Sequence, residues 1–200
     1  MVAIIPFFIN DFCYLFPLSY EQWVTVDYVS RLASLTFLSV FIVKKRLSAD
    51  TLGLRLRDKN TLIWWTLVCV LLSFAYALAS GVILTPLDGL WRLSATQYDN
   101  NSALYMVDMT LGLMLVAASE EIIFRGLALS ALRPITQNSA VIIGLSSLFF
   151  AAAHWSTGIG NMLDCFVLGA VFMAITRKAK SIYPPMITHF LVDLFLLFKA

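Results

Sequence analysis

The chain has 200 residues, of which 60% are hydrophobic and only 13% are charged, and its mean hydropathy is +0.84. A soluble domain of this length does not need so much apolar surface, whereas apolar runs of about 20 residues match the length of a helix that spans a bilayer. The net charge of +2 comes with no basic-aromatic pattern that would indicate nucleic-acid binding. The composition therefore predicts an all-α, polytopic transmembrane helical bundle of about six to seven helices, embedded in the lipid bilayer.

Residues 1–103 are predicted to form N-terminal transmembrane helices and loops. The first 23 residues are hydrophobic but lack the charged leader and cleavage site of a secretory signal, so we interpret them as a retained, tilted or re-entrant segment. Two strong spans follow, at about Trp23–Val43 and Leu62–Leu84, and the basic residues between them predict a cytoplasmic connection. A polar loop comes next, and it contains Pro86, Asp88, Arg92, Asp99, Asn100 and Asn101.

Residues 104–200 are predicted to form a helical core that makes one membrane domain with the preceding part. Its first helix runs from Leu104 to Leu132, because Gly112 and Gly126 weaken a helix without ending it, whereas Pro134 stops it. Basic residues at 177–180 mark the inner side again. The remaining predicted helices are about Ser139–Trp155, Met162–Ile175 and Tyr183–Phe198.

Two adjacent glutamates and an arginine interrupt the apolar sequence ASEEIIFRG. Charges inside a bilayer cost at least a few kcal/mol each, so we expect them to face the protein interior and to be paired. Glu121 and Arg125 are four residues apart, share a helix face and pair well in that order. Glu120 points about 100° away from them. A purely structural network would explain Glu121 and Arg125 but would leave Glu120 without a partner.

The chain has only two histidines, and both lie in apolar C-terminal segments. In LFFAAAH, Phe150 and His154 share a helix face, and in ITHFLVD, His189 and Asp193 do so. A single buried histidine is more often a packing residue than a catalytic one. Together with Glu120, however, these residues suit hydrolysis of a peptide bond within the membrane. A carboxylate and an imidazole can take a proton from a shared water, and a second imidazole can donate to the oxyanion.

One geometrical conflict follows from these positions. Glu120 and His154 lie about 20 Å along their helices from the inner side, whereas His189 lies only a few residues beyond the basic cluster at 177–180. Either the segment 181–185 re-enters the membrane before its helix begins, or one helix is shifted.

The three motifs resemble those of the CAAX-protease and bacteriocin-processing family, also called CPBP or Abi. The family motifs are EExxxR, FxxxH and HxxxN/D, and this sequence has Glu120–Arg125, Phe150–His154 and His189–Asp193 in that order. The family comprises glutamate-type intramembrane endopeptidases similar to the prenyl-protein endopeptidase of eukaryotes. The resemblance extends over about residues 104–198, and the preceding residues match only in being transmembrane.

The resemblance implies a role for each motif residue. Glu120 and His154 would activate the attacking water, and His189 and Asp193 would form the oxyanion side. Asp193 stands where the eukaryotic enzymes have Asn; because an ionised Asp cannot donate a hydrogen bond, we expect it to orient His189. The residues expected to support the site from behind are Glu121, Arg125 and Phe150.

Three alternatives remain open from the sequence. Glu120, His154, His189 and Asp193 are all competent metal ligands, so a divalent-metal-dependent protease is the nearest one, although no HExxH helix is present. A serine protease would use Ser146 or Ser147, but the glycine expected after the serine is missing. A non-catalytic bacteriocin-immunity or binding protein would need the network only for stability.

We therefore expect a multi-pass protein of a bacterial plasma (inner) membrane that needs no cofactor. Its partner would be a membrane-associated protein or peptide substrate. The three cysteines, Cys13, Cys69 and Cys165, have no paired or metal-type spacing, so we expect them to be buried packing residues.

Overall fold

The computed structural model describes residues 2–45, 47–84, 87, 90, 91, 93 and 102–197. The residues predicted to form the polar loop, Pro86, Asp88, Arg92, Asp99, Asn100 and Asn101, lie outside these ranges. The described residues form seven helices: α1 Ile5–Phe12, α2 Tyr20–Lys45, α3 Lys59–Ile83, α4 over residues 103–132, α5 Ser139–Ala152, α6 Ile159–Ala179 and α7 Tyr183–Leu197.

The fold is the all-α membrane bundle that the composition predicts. By length and composition, three helices could cross a membrane: α2, α3 and α6. Helix α5 is shorter but also apolar. Polar side chains cap the first turns of two helices: Asp58 accepts a hydrogen bond from the backbone N–H of Thr61 at 2.9 Å at the start of α3, and Asn138 caps α5 in the same way.

Helix α4 is continuous, as predicted, but it contains two π-helical turns that the sequence pattern does not reveal. Five consecutive residues of the second turn, 123–127, are buried, so this part of the helix is enclosed on all sides. A π turn changes the angular register of the side chains that follow it, and such turns occur often at functional sites. The successive pieces of α4 are Ala103–Val107, the π turn Asp108–Gly112, Leu113–Glu121, the π turn Ile122–Leu127 and Ala128–Leu132.

The connection between α2 and α3 folds into the bundle instead of lying outside it. Leu52, in the middle of this basic connection, is only 1% exposed. Its carbonyl oxygen packs against Gly126 of α4 so closely that a Cβ atom at position 126 would lie 2.6 Å from it. A glycine is therefore required at this point of α4.

The two basic connections lie side by side, which agrees with the prediction that both face the same side. The backbone N–H of Ile182 donates to the carbonyl of Gly53 at 3.0 Å. The Arg57 side chain donates to the carbonyl of Lys180 at 3.1 Å. Lys180 itself adopts a left-handed conformation, with φ of 52°, which ends α6.

The start of α7 lies inside the bundle. Ser181 and Ile182, which precede the helix, are fully buried. His189 is six residues beyond the first residue of α7, about 9 Å along the axis, and it reaches the level of Glu121. The chain thus enters the interior before α7 begins, as the first of the two explanations for the depth of His189 requires.

Helix α1 is short and packs on the bundle near the chain segment that carries His154. Its Phe7 ring contacts Phe124 edge to face at 5.3 Å. The Asp11 carboxylate accepts a hydrogen bond from the backbone N–H of Ser156 at 2.6 Å. The side-chain amide of Asn10 donates to Asp27 of α2 at 2.9 Å.

The close approach of Leu52 and Gly126 can be tested by Gly126→Ala. The added methyl group would collide with a backbone carbonyl, so we expect a loss of about 1–3 kcal/mol in the free energy of unfolding. The matched control is Gly144→Ala in α5, where a Cβ atom would meet nothing within 4 Å. That change should be neutral or stabilising, since alanine is the better helix former. Thermal unfolding in detergent would measure both, and equal stabilities would contradict the packing described.

Candidate active site

Glu120 has a partner that the motif analysis missed. Its Oε1 accepts from Nη1 of Arg31 in α2 at 2.7 Å, and Nε of Arg31 is 2.7 Å from the Asp27 carboxylate. All three side chains are buried. The motif residues alone left Glu120 without a partner. In the structure a guanidinium from another helix, that of Arg31, neutralises it. An acid and a base four residues apart within an apolar span were the signal that could have identified Asp27 and Arg31.

Glu121 points towards α7, and its carboxylate contacts two side chains, one cationic and one ionisable. Its Oε1 lies 2.9 Å from Nη1 of Arg125 and 2.9 Å from Nδ1 of His189. The predicted pair of Glu121 and Arg125 is thus present. The different directions of Glu120 and Glu121 follow from the turn angle between successive helical residues.

Arg125 is held mainly by charge and by stacking. It is fully buried, and none of its guanidinium nitrogens has hydrogen-bond geometry to an acceptor among the described residues, despite the short distance to Glu121. Its Cζ lies 4.2 Å from the ring centroid of Phe150 and 5.1 Å from that of Phe172. The two aromatic rings therefore supply cation–π contacts where hydrogen-bond acceptors are lacking.

His189 is oriented more closely by Glu121 than by Asp193. A carboxylate can only accept, so Nδ1 of His189 carries a proton towards Glu121. Nε2 lies 3.4 Å from the Asp193 carboxylate and 3.7 Å from Oε2 of Glu120. The orienting role expected for Asp193 thus falls chiefly on Glu121, while Asp193 and Glu120 flank the other ring nitrogen.

His154 lies in the turn directly after α5, not in the helix as predicted, because α5 ends at Ala152. Its Nδ1 is 2.9 Å from the carbonyl oxygen of Phe150 and must donate to it. In the neutral ring this leaves Nε2 as a proton acceptor. Phe150 contacts His154 edge to face at 4.8 Å and His189 at 6.0 Å, so this ring packs between the two histidines and Arg125.

One cavity of about 340 Å³ is lined by all four residues predicted to be catalytic, Glu120, His154, His189 and Asp193, together with Phe150. Its volume falls in the range of small-molecule and peptide sites. Glu121 and Arg125 lie behind the wall, as expected of supporting residues. Helices α3 and α6 supply the remaining polar lining residues Tyr76, Ser80, Asn161, Asp164 and Cys165.

The cysteines and serines differ in their access to this cavity. Cys69 is buried, as expected, whereas Cys13 and Cys165 are only half-buried, and Cys165 lines the cavity. Ser146 and Ser147 donate to the backbone carbonyls of Phe124 and Ile143 and do not line it. The geometry therefore gives no support to a serine nucleophile.

Within the described ranges, no three side chains of His, Cys, Asp or Glu are arranged to hold a metal ion. Metal independence stays a prediction, and chelation tests it.

The buried pair of Glu121 and Arg125 predicts a large effect of Arg125→Ala. The change would leave a buried carboxylate with one partner fewer and a void between two rings, so we expect a loss of about 3–5 kcal/mol in the free energy of unfolding. The control is Arg55→Ala, whose ion pair with Asp50 is more than half exposed and should contribute about 0–1 kcal/mol. Chemical unfolding in detergent would compare them, and an Arg125→Ala protein as stable as Arg55→Ala would refute the structural role.

Comparison with known proteins agrees with the motifs. Residues 102–195 match the family model described as Type II CAAX prenyl endopeptidase Rce1-like. No curated protein and no solved structure matches the chain. The matched segment contains all three motifs and begins at α4, so Arg31 and Asp27 lie outside it. The family model and the three motifs therefore agree that this segment resembles a CAAX-protease domain.

Proposed function

We propose that the protein is a glutamate-type intramembrane endopeptidase that hydrolyses a peptide bond in a membrane-associated protein or peptide. The observation that supports this proposal is the common cavity of Glu120, His154, His189 and Asp193. The family match supports CAAX-type protease activity in general. The roles of the individual residues below are part of the proposal.

Water activation would use the free atoms of Glu120 and His154. Oε1 of Glu120 is occupied by Arg31, whereas Oε2 is buried without a hydrogen-bond partner among the described residues. His154 donates through Nδ1 to Phe150, which leaves Nε2 available. A water held by these two atoms would lose its proton to the pair as its oxygen attacks the scissile carbonyl carbon.

His189 would stabilise the oxyanion that this attack forms. In the imidazolium form both ring nitrogens carry a proton, so that Nδ1 donates to Glu121 while Nε2–H points to the region between Glu120 and Asp193, where the carbonyl oxygen of a substrate could accept it. When the tetrahedral intermediate collapses, the C–N bond breaks and the proton taken from water passes to the leaving amine. The products are a carboxylic acid and an amine, and Glu120 is again a carboxylate.

Arg31 would position Glu120 for this step. Its guanidinium binds one carboxylate oxygen of Glu120 and is itself held by Asp27. A carboxylate fixed in this way directs its second oxygen into the cavity without the freedom to rotate away. Arg31 is thus a positioning residue that the family motifs do not include.

The setting that we propose is a bacterial plasma membrane, with the substrate approaching the cavity from the bilayer. The three helices long enough to span a membrane agree with the membrane part of this proposal. No metal or organic cofactor has a role in the proposed reaction.

The central prediction concerns Glu120→Gln, which preserves shape but removes the proton acceptor. Cleavage should fall by about 10²–10⁴-fold while the protein remains folded. His154→Ala should cause a similar loss, and the double variant should add little, because residues that act as a unit are non-additive. The assay would use purified protein in lipid vesicles with a library of apolar peptides of about 25 residues, and new termini would be identified by mass spectrometry.

Glu21→Gln is the matched control, because Glu21 is exposed at the start of α2. It should cleave as the wild type does. Full activity of Glu120→Gln would refute the glutamate mechanism. Loss of wild-type activity on chelation, restored by Zn²⁺, would favour the metal-dependent alternative, and peptide binding without any cleavage would favour the non-catalytic one.

A further prediction compares Arg31→Met with Arg31→Lys. Methionine would leave Asp27 and Glu120 buried without their cation, so we expect a destabilisation of about 3–5 kcal/mol. In the folded fraction kcat should fall by about 10²-fold through misplacement of Glu120. Lysine should restore part of both losses, because it keeps the charge without the planar fork. Folded protein with wild-type kcat for Arg31→Met would show that Arg31 does not position Glu120.

A further inference from the structure

Asp164 is a carboxylic acid residue within the apolar helix α6. Its side chain forms no ion pair with any residue that the structure describes. Asp164 lies five residues beyond Ile159, inside the span 159–179 that is long enough to cross a membrane. Its Oδ1 is buried and has no hydrogen-bond partner, and no ion pair in the described part of the chain includes Asp164. An acidic residue in such a segment is expected to be paired or to serve a ligand.

The neighbours of Asp164 present oxygen atoms to the same cavity. The Tyr76 side chain of α3 lies close to Asp164 and to Ser80. Asn161 uses its amide nitrogen to donate to Thr157 at 2.6 Å, which leaves its amide oxygen. All four residues line the cavity. The contact with Tyr76 would suffice to join α3 and α6, but it does not account for the second carboxylate oxygen of Asp164.

Among the described residues that line the cavity, the charged side chains include no cation paired with Asp164. Three lining carboxylates belong to Glu120, Asp164 and Asp193, and the guanidinium among the described lining residues, Arg31, is shared by Glu120 and Asp27. Asp193 lies next to His189. Among the lining carboxylates that the structure describes, Asp164 is thus the one without an ion pair.

Asp164 and its neighbours lie in the same cavity as the proposed catalytic residues. The next residue in α6, Cys165, lines the cavity together with His154. On the side of α3, the small residues Ala77 and Gly81 line the cavity and leave room for a side chain.

We propose that Asp164, Tyr76, Ser80 and Asn161 form a subsite that binds an ammonium or guanidinium group, supplied by a lysine or arginine near the scissile bond. The proposal rests on the proposed endopeptidase function and adds a substrate class to it. The substrate would be an apolar, membrane-associated segment with a basic residue at one fixed position from the cleaved bond. That cation would give Asp164 the ion-pair partner that the described residues do not provide.

The test uses matched peptides that differ at one position. Wild-type protein in lipid vesicles is given the apolar peptide library with Lys, Arg, Gln, norleucine or Glu at each position near the cleaved bond. We expect a kcat/KM about 10- to 100-fold higher for Lys or Arg than for Gln at one position, the value of a hydrogen bond to a charged group. In Asp164→Asn, which keeps the size and the partner for Tyr76, this ratio should fall to about one. Asp50→Asn is the control, because Asp50 is exposed, and it should keep the wild-type ratio.

A binding measurement separates this proposal from the endopeptidase mechanism. The affinity of Glu120→Gln protein for Lys and norleucine peptides is compared with and without Asp164→Asn. Tighter binding of the Lys peptide that depends on Asp164 supports the subsite even if the wild type cleaves nothing. Cleavage without a basic preference, a preference that survives in Asp164→Asn, or equal affinities for the two peptides overturns the subsite, whatever the state of the endopeptidase proposal.

Discussion

The arrangement of the whole site depends on the burial of two adjacent carboxylates, Glu120 and Glu121. Neither can remain ionised in a low-dielectric interior without a cation close by, and one cation cannot serve both because the two side chains point in different directions. Arg31 meets the first from α2, and Arg125 meets the second from within α4. The need to neutralise this pair therefore fixes the position of α2 against α4.

The three sequence motifs are parts of one packed unit. Phe150 of the second motif stacks on Arg125 of the first and contacts His189 of the third. Glu121 of the first motif orients His189. Glu121, Arg125 and Phe150 thus hold α4, α5 and α7 together around the proposed catalytic groups. The second π turn of α4 belongs to this arrangement, since it begins directly after the two glutamates.

The sequence predicted those features that depend on local spacing. The helical bundle, the pair of Glu121 and Arg125, and the different direction of Glu120 all follow from periodicity and from the cost of charge in lipid. The end of α5 before His154 was not predicted, because an apolar run continues past it and nothing in the pattern marks the turn. The π turns were missed for a similar reason, since they change the register by one residue within an unbroken apolar segment.

Features that depend on contacts between distant segments could not be predicted in this way. The connection around Leu52 has a polar and basic composition typical of an exposed loop, yet it is buried because Gly126 leaves space for its backbone. The partnership of Arg31 with Glu120 joins residues 89 positions apart. A charge within an apolar helix predicts that Arg31 and Glu120 each need an oppositely charged partner. Only the folded structure shows that they pair with each other.

The hydrogen bonds of α1 extend the site to the first residues of the chain. Asn10 supports Asp27, which holds Arg31, while Asp11 binds the backbone two residues after His154. The segment recognisable as a CAAX-protease domain begins only at residue 102. The segment that matches the family model therefore does not include all the residues that neutralise the charges of the site. The proposed catalytic Glu120 thus depends on a counter-ion from α2, a helix that lies outside the matched segment.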